Sequence, residues 1–201
     1  GAPGPMDKKN TKILNSPNLL LWNNKPLKKT LGKIFKCPIQ IENDANLAGL
    51  GEAVLGAGKG HEVVAFFTIS TGVGGTLIVD GKINKSSSSA EPGYQIIKID
   101  DAQGHLEGLV SGTALKRRYK IDPAKIKNKK VWDKTAEYLA YGLHNSIVHW
   151  TPDIIVLGGS VMKSLPISRI LFHLKKIMKV FPKIPEIKKA ELGDLAGIYG
   201  G

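Results

Sequence analysis

Cysteine is nearly absent: the chain holds one, Cys37, in the stretch KIFKCPIQI. A single thiol builds neither a disulfide nor a cysteine-based metal site within the chain, so a disulfide scaffold and a thiolate-zinc module are both excluded. A reducing compartment is the simpler setting, and Cys37 itself reads as a small buried thiol. Long apolar runs are absent too. No stretch reaches the roughly 18 residues of a membrane-spanning helix, and the first residues lack the charged-then-apolar order of a signal peptide. The sequence therefore predicts a soluble cytoplasmic protein with no membrane partner. Aromatic residues are scarce at 6%, and this decides how the charge is read. The net charge is +12, from 29 Lys and Arg against 17 Asp and Glu. The lysines are spread over KPLKKTLGKIFK, KRRYKIDPAKIKNKK and HLKKIMK, with few rings between them to stack on bases. That pattern predicts a solvated basic surface rather than a nucleic-acid groove, and it is compatible with anionic small molecules. An initiator methionine is missing as well: the chain opens on the turn-like GAPGPMD, which predicts an N-terminal truncation.

What is present fits an α/β protein of one large domain or two small ones. Residues 26–36 place Leu27, Leu31, Ile34 and Phe35 at helical spacing before Pro38. Residues 39–41 predict a short buried strand, and a helix of small residues is expected from 47 to about 57. GAGKGH, residues 56–61, is the best boundary. VVAFFTIS and TLIVDGKI predict an antiparallel pair of strands, with Asp80-Gly81 as a two-residue hairpin turn. A polar loop over residues 85–93 precedes another expected strand, YQIIKID, residues 94–100. A helix is expected over 106–119, then a basic link to 130. Trp132, Ala136, Leu139, Leu143 and Ile147 trace one face of a long helix. DIIVLGGS is an apolar strand running into two glycines; a further helix begins after Pro166, and AELGDLAGIYGG reads as the start of a last one.

Three stretches carry candidate chemistry. In TISTGVGGTL, Thr71, Gly72, Gly74 and Gly75 lie at the bend between two strands. Residues without a Cβ let backbone N–H groups approach phosphate oxygens closely, though an ordinary glycine hairpin has the same composition. In VLGGSV, Gly158 and Gly159 follow a strand and precede a helix, which suits either the floor of a nucleotide pocket or a tight turn. Taken together, the two glycine turns suggest a nucleotide held across a cleft. A P-loop is excluded because GAGKGH lacks a Ser or Thr after Gly-Lys, and a dinucleotide fingerprint is excluded because Leu77 replaces its last glycine. The third stretch, QIENDANLAGLGEA, gathers Glu42, Asn43, Asp44 and Asn46 at a junction. One of them suffices for a helix cap; four exceed that need, and a carboxylate beside an amide can orient a hydroxyl-rich ligand and take its proton. Glu91 and Glu107 offer further carboxylates for sugar-like hydroxyls.

PNLLLW, IENDANLAGLGEAVLGAG, TISTGVGGTLIVDGKI, AEPGYQ, GHLEGLVSGTAL, IIVLGGSV and ELGDLAGIYG occur in that order over nearly the whole chain. In these segments the chain resembles the ROK family, which groups sugar kinases, repressors and uncharacterised reading frames. The resemblance implies an actin-like ATPase fold, related to ribonuclease H, in which two α/β domains flank a cleft. Residues 1–61 would be the remnant of the small domain, with its N-terminal part missing. Residues 62–190 would be the large domain, and 191–201 the start of a helix returning to the small one. It implies Asp44 as catalytic base, Asn43, Glu91, Tyr94 and Glu107 as sugar ligands, Thr71, Gly72, Gly74 and Gly75 as the second phosphate loop, and Gly158 and Gly159 beside the adenosine. The implied activity is phosphorylation of a hexose, by default glucose, from ATP with Mg2+. A homodimer is the implied assembly of the full-length protein.

The chain departs from the family pattern at two places. Many members hold a structural zinc with a histidine and three cysteines; here Tyr94 occupies the histidine position, His105 the last ligand position, and no cysteine is near, so zinc is not expected. Tyr94 also reshapes the sugar side, which leaves the sugar's identity open. Family kinases begin with an Asp-x-Gly-Gly-Thr phosphate loop, and none precedes GAPGPMD. The polypeptide is therefore expected to be inactive alone and a kinase in its full-length form. The alternatives are the sugar-sensing domain of a ROK repressor, whose nucleic-acid partner would be met through a separate helix-turn-helix, and a sugar-binding protein without phosphoryl transfer.

Overall fold

A computed structural model of the protein describes residues 1–16, 19–84 and 90–201. Its centre is a five-stranded sheet in the order β3-β2-β1-β4-β5. Strands β1 (Val63–Ile69) and β2 (Val73–Val79) pair antiparallel, from Val63 opposite Val79 to Ile69 opposite Val73. Asp80 and Gly81 both have positive φ, 51° and 66°, the backbone that a two-residue turn between twisted strands requires, and β3 (Lys82–Ile83) follows. Strand β4 (Ile154–Gly158) runs parallel to β1 with Gly158 opposite Thr68, and β5 (Glu186–Lys189) runs parallel to β4. Parallel pairing brings the ends of β1 and β4 to the same edge. The β1–β2 turn and the turn after β4 are thus neighbours.

Both faces of the sheet are covered, which explains the unbroken apolar run of β1. Ala65, Phe67 and Ile69 enter one core, with Leu106, Leu139, Leu143 and Leu157. This face carries α3 (Leu106–Val110), α4 (Gly112–Tyr119), the long α5 (Lys129–Trp150) and α6 (Ile167–Ile177). Val64 and Phe66 enter the other core with Ala53, Ile78 and Val156, beneath α2 (Asp44–Val54). The C-terminal α7 (Ala196–Tyr199) packs along α2. A third, small core joins Ala2, Met6, Ile13 and Ile41 to Leu27 of α1 (Leu27–Phe35). No helix among the described residues is long and apolar enough to cross a membrane.

Several local expectations are corrected. Residues 39–41 form no strand: the nearest pairing among the described residues is an isolated bridge between Ala2 and Asn43, and no described strand supplies a ladder there. The helix expected from 47 begins at Asp44, three residues earlier, where Asn43 caps it. Residues 94–100 form no strand either. Ile97 and Lys98 both donate their N–H to the Gly104 carbonyl, at 2.8 and 2.9 Å, and the segment folds back on itself. The helix over 106–119 breaks at Ser111, whose backbone is extended (φ −67°, ψ 158°) and whose Oγ accepts the Ala114 N–H at 3.1 Å to cap α4. Cys37 is exposed, not buried, because it lies just past the end of α1. Of the polar loop expected over 85–93, residues 85–89 lie outside the described residues, and Pro92–Tyr94 is a single 3-10 turn.

Candidate active site

The start of α2 sorts the four polar groups of IENDAN by role. Asn43 has extended backbone, and its Oδ1 accepts the N–H groups of Ala45 and Asn46 at 2.9 and 3.1 Å, an N-cap worth about 1 kcal/mol. Its Nδ2 donates to the Gly4 carbonyl at 3.1 Å, which leaves one amide hydrogen for a ligand. Glu42 accepts from the Asn43 N–H (2.9 Å), Asn46 Nδ2 (2.8 Å) and Asn10 Nδ2 (2.9 Å), and so ties the N-terminal segment to the helix. Asn43 and Asn46 are buried and Glu42 half-buried; of the four, only Asp44 is exposed. The scaffold therefore holds the Asp44 carboxylate out at a helix N-terminus, where backbone dipoles favour negative charge.

Three carboxylates from separate elements meet around the first residues of β2. Ala45, next to Asp44, packs on Gly74, where a Cβ would come within 3.1 Å of the alanine methyl. Pro92, next to Glu91, packs on Gly75, which a Cβ would bring to 2.9 Å from the proline ring. Glu107, in the first turn of α3, accepts the Val73 N–H through Oε2 at 2.8 Å. Crowding by surrounding atoms pushes the Glu91 carboxyl above its ordinary range, and the charges of Glu107 and Asp44 push it further. The same effects raise the Tyr94 hydroxyl: crowding by surrounding atoms first, then the charges of Glu107 and Glu91. The structure thus brings Asp44, Glu91, Tyr94 and Glu107 into one electrostatic neighbourhood.

Tyr94 stacks on His105, ring centroids 5.4 Å apart and planes 7° from parallel. These are two of the four positions at which the resemblance expects metal ligands. The segment between them is closed by hydrogen bonds: Leu106 N–H to the Gln95 carbonyl (2.8 Å), Gly104 N–H to Asp101 (2.8 Å), and Arg117 Nη1 to Gln103 Oε1 (3.1 Å). Among the described residues, no group of three or more His, Cys, Asp and Glu is placed to hold a metal.

Beyond the ends of β1 and β4 lies a cleft of about 360 Å3, lined by Thr68, Ser70, Gly158, Gly159, Lys163 and Asp194 among others. Gly159 has φ +92°, and a Cβ there would overlap the backbone of Ile69, so this position admits only glycine without displacement. Thr71 and Gly72 form the β1–β2 turn itself, buttressed by the Gly112 N–H, which donates to the Ser70 carbonyl at 2.7 Å. Gly74 and Gly75 are not in the turn but in β2, opposite Thr68 and Phe67. Their service is to let Ala45 and Pro92 approach. Sequence reasoning missed Lys163 and Asp194, which lie downstream of quoted glycines and reach the cleft only through the packing of the 3-10 turns Ser160–Lys163 and Gly193–Leu195.

Comparison with known proteins gives a consistent pattern. The model of the ROK family matches residues 1–201. The putative fructokinase of Bacillus subtilis is 30% identical over the whole of this chain and 75% of its own length. The xylose repressor of Bacillus spizizenii is 28% identical over 99% of this chain and 58% of its own length. Among solved structures, the ROK hexokinase from Thermus thermophilus superposes with a TM-score of 0.87 at 27% identity, covering 98% of this chain and 74% of that one. A ROK glucokinase from Streptomyces griseus, in complex with glucose and AMPPNP, superposes with a TM-score of 0.84 at 26% identity, covering 100% of this chain and 78% of that one.

Proposed function

The chain belongs to the ROK family and has the actin-like ATPase fold of its kinases, and on that premise we propose that its full-length form phosphorylates a hexose from ATP with Asp44 as general base. The observation that carries the reading is the convergence of Asp44, Glu91 and Glu107 on the start of β2, one turn from the cleft beside Gly159. In this reading Glu91, Glu107, Tyr94 and the spare Asn43 hydrogen bind sugar hydroxyls. Asp44 accepts the proton of one hydroxyl as its oxygen attacks the γ-phosphorus of ATP and ADP leaves. Such transfer needs chiefly positioning and charge neutralisation.

The turn at Thr71 and Gly72 faces the phosphates, and the Gly158–Gly159 turn faces the adenosine. Lys163 adds a cation to the same cleft. A magnesium ion keeps several waters and takes few protein ligands, so here it would ride on the nucleotide phosphates and supply charge neutralisation. The reading assigns residues 1–61 to the sugar-side domain, 62–190 to the nucleotide-side domain and 191–201 to the return segment. Closure of the two would exclude water from the reaction.

The test is ADP release by the full-length protein, coupled to an indicator enzyme, with glucose, fructose, N-acetylglucosamine and N-acetylmannosamine in turn. Sugar-dependent ADP release with at least one of them is expected. The likeness to the xylose repressor supports a second reading, a sugar sensor. Saturable sugar binding without any ADP release in that panel would favour the sensor over the kinase.

A further inference from the structure

A second acidic residue of α2 lies at the opposite end from Asp44 and belongs to neither the sugar cluster nor the phosphate turns. Glu52 has no exposed surface. Its Oε2 accepts the N–H groups of Ala57 and Glu191, at 3.0 and 3.1 Å, and its Oε1 accepts that of Leu192 at 2.7 Å. A buried carboxylate is costly unless both oxygens are hydrogen-bonded, and here both are, by backbone alone among the described residues. Glu191 and Leu192 are remote in sequence from Glu52 but sit at a decisive place. They follow Ala190, whose N–H donates to Leu157 near the end of β4 at 2.9 Å, and they precede Gly193, Asp194 and Ala196. Ala190, Gly193, Asp194 and Ala196 line the cleft together with Gly158 and Gly159. Beyond them, Gly51 lies so close to the Ala196 carbonyl that a Cβ would not fit, so α7 is seated directly on α2.

We propose that Glu52 is a positioning residue for the nucleotide, its carboxylate fixing the Glu191–Leu192 backbone so that the 190–196 segment stands as one wall of the cleft. This rests on the kinase reading. Glu52 follows Asp44 by eight residues, about 12 Å at the rise of an α-helix. One rigid helix then presents the base at one end and holds the nucleotide wall at the other. Asp44 and the sugar ligands are held by other contacts, those of Asn43, Val73 and Gly74, so loss of the Glu52 clamp acts on the nucleotide and spares the sugar.

Two variants of the full-length protein test this. Glu52→Gln keeps the size of the side chain but turns a donor toward a backbone N–H. Leu192→Pro removes the Leu192 N–H along with the leucine side chain, at a residue whose φ of −81° a proline adopts. In both, the dissociation constant of Mg-AMPPNP is expected to rise about tenfold or more while that of glucose stays within about twofold, the loss of one charge-assisted hydrogen bond. KM for ATP is expected to rise in parallel with kcat largely kept. A folded variant with parental AMPPNP affinity overturns the proposal. So does a parallel loss of AMPPNP and glucose affinity, which would mark general destabilisation. Should Glu52→Gln fail to fold, Leu192→Pro decides alone. A parent protein that binds no nucleotide overturns the kinase reading itself, and is told apart because both variants then have nothing to lose.

Discussion

Glu107 accepts the Val73 backbone N–H at 2.8 Å, so the carboxylate proposed as a sugar ligand is also what anchors the first residue of β2 after the β1–β2 turn. The two roles separate by substitution. Glu107→Gln keeps an acceptor oxygen and should leave unfolding free energy nearly unchanged while weakening sugar binding. Glu107→Ala leaves a buried N–H unpaired and should cost about 2 kcal/mol in urea unfolding. Equal stability of the two variants would refute the anchoring role.

The Glu91 carboxyl predicts a pH dependence with a definite sign. Its folded pKa is raised above the ordinary 4.5 by crowding, then by Glu107 and Asp44. The folded state therefore binds its proton more tightly than the unfolded state, and stability from this group is complete below pH 4.5 and lost as pH rises through the folded value. Glu91→Gln removes that loss. Its melting temperature should exceed the parent's at pH 7, and the gap should close on acidification below about 4.5; a gap that widens in acid would contradict the assignment.

Asp133 carries the opposite sign. Its Oδ1 pairs with His173 Nε2 at 2.9 Å and accepts from Arg169 Nε at 2.8 Å, linking α5 to α6, and these bonds hold its pKa below the usual 3.8. Its contribution is present above pH 3.8 and lost as pH falls through the depressed value. Asp133→Asn should lower the melting temperature at pH 7, and thermal scans at descending pH should show the two proteins converging in acid.

Gly159 and Gly51 predict structural failures at different places. An alanine at 159 meets the Ile69 backbone at positive φ and should cost about 2 kcal/mol or more. An alanine at 51 meets the Ala196 carbonyl and should release α7 from α2. Limited proteolysis should then cut the Gly51→Ala chain near its C-terminus while the Gly159→Ala chain becomes sensitive throughout; the same pattern for both would be inconsistent with this packing.

The elements that were legible in the sequence are those whose signal is local. The β1–β2 pair, the Asp80-Gly81 turn, α5 and α6 declare themselves by periodicity and turn chemistry. The α/β class and the actin-like ATPase fold were legible from the order of the motifs. Where partners are remote, local pattern fails. Residues 39–41 look like a strand, but the nearest bridge among the described residues is that of Ala2 with Asn43, and Ile97 and Lys98 spend their N–H groups on Gly104. Strand β5 gives no local signal because it is four residues long, lies at the sheet edge and is charged at three of its four positions, as EIKK after a proline. In the candidate site, the functional and capping readings of IENDAN divide by residue: Asn43 caps, Asp44 is exposed. Glu52 was visible in QIENDANLAGLGEA, but its role needed the fold, since two of its three donors are about 140 positions away.

The most direct test of the central claim is the substitution Asp44→Asn in the full-length protein, with turnover read by ADP release and sugar affinity by calorimetry. Asparagine keeps the volume of the side chain and an Oδ1 acceptor for the Ala45 N–H but accepts no proton. Near-abolition of kcat is expected, with the sugar dissociation constant within about an order of magnitude of the parent's. Near-normal turnover by the Asp44→Asn protein would contradict it.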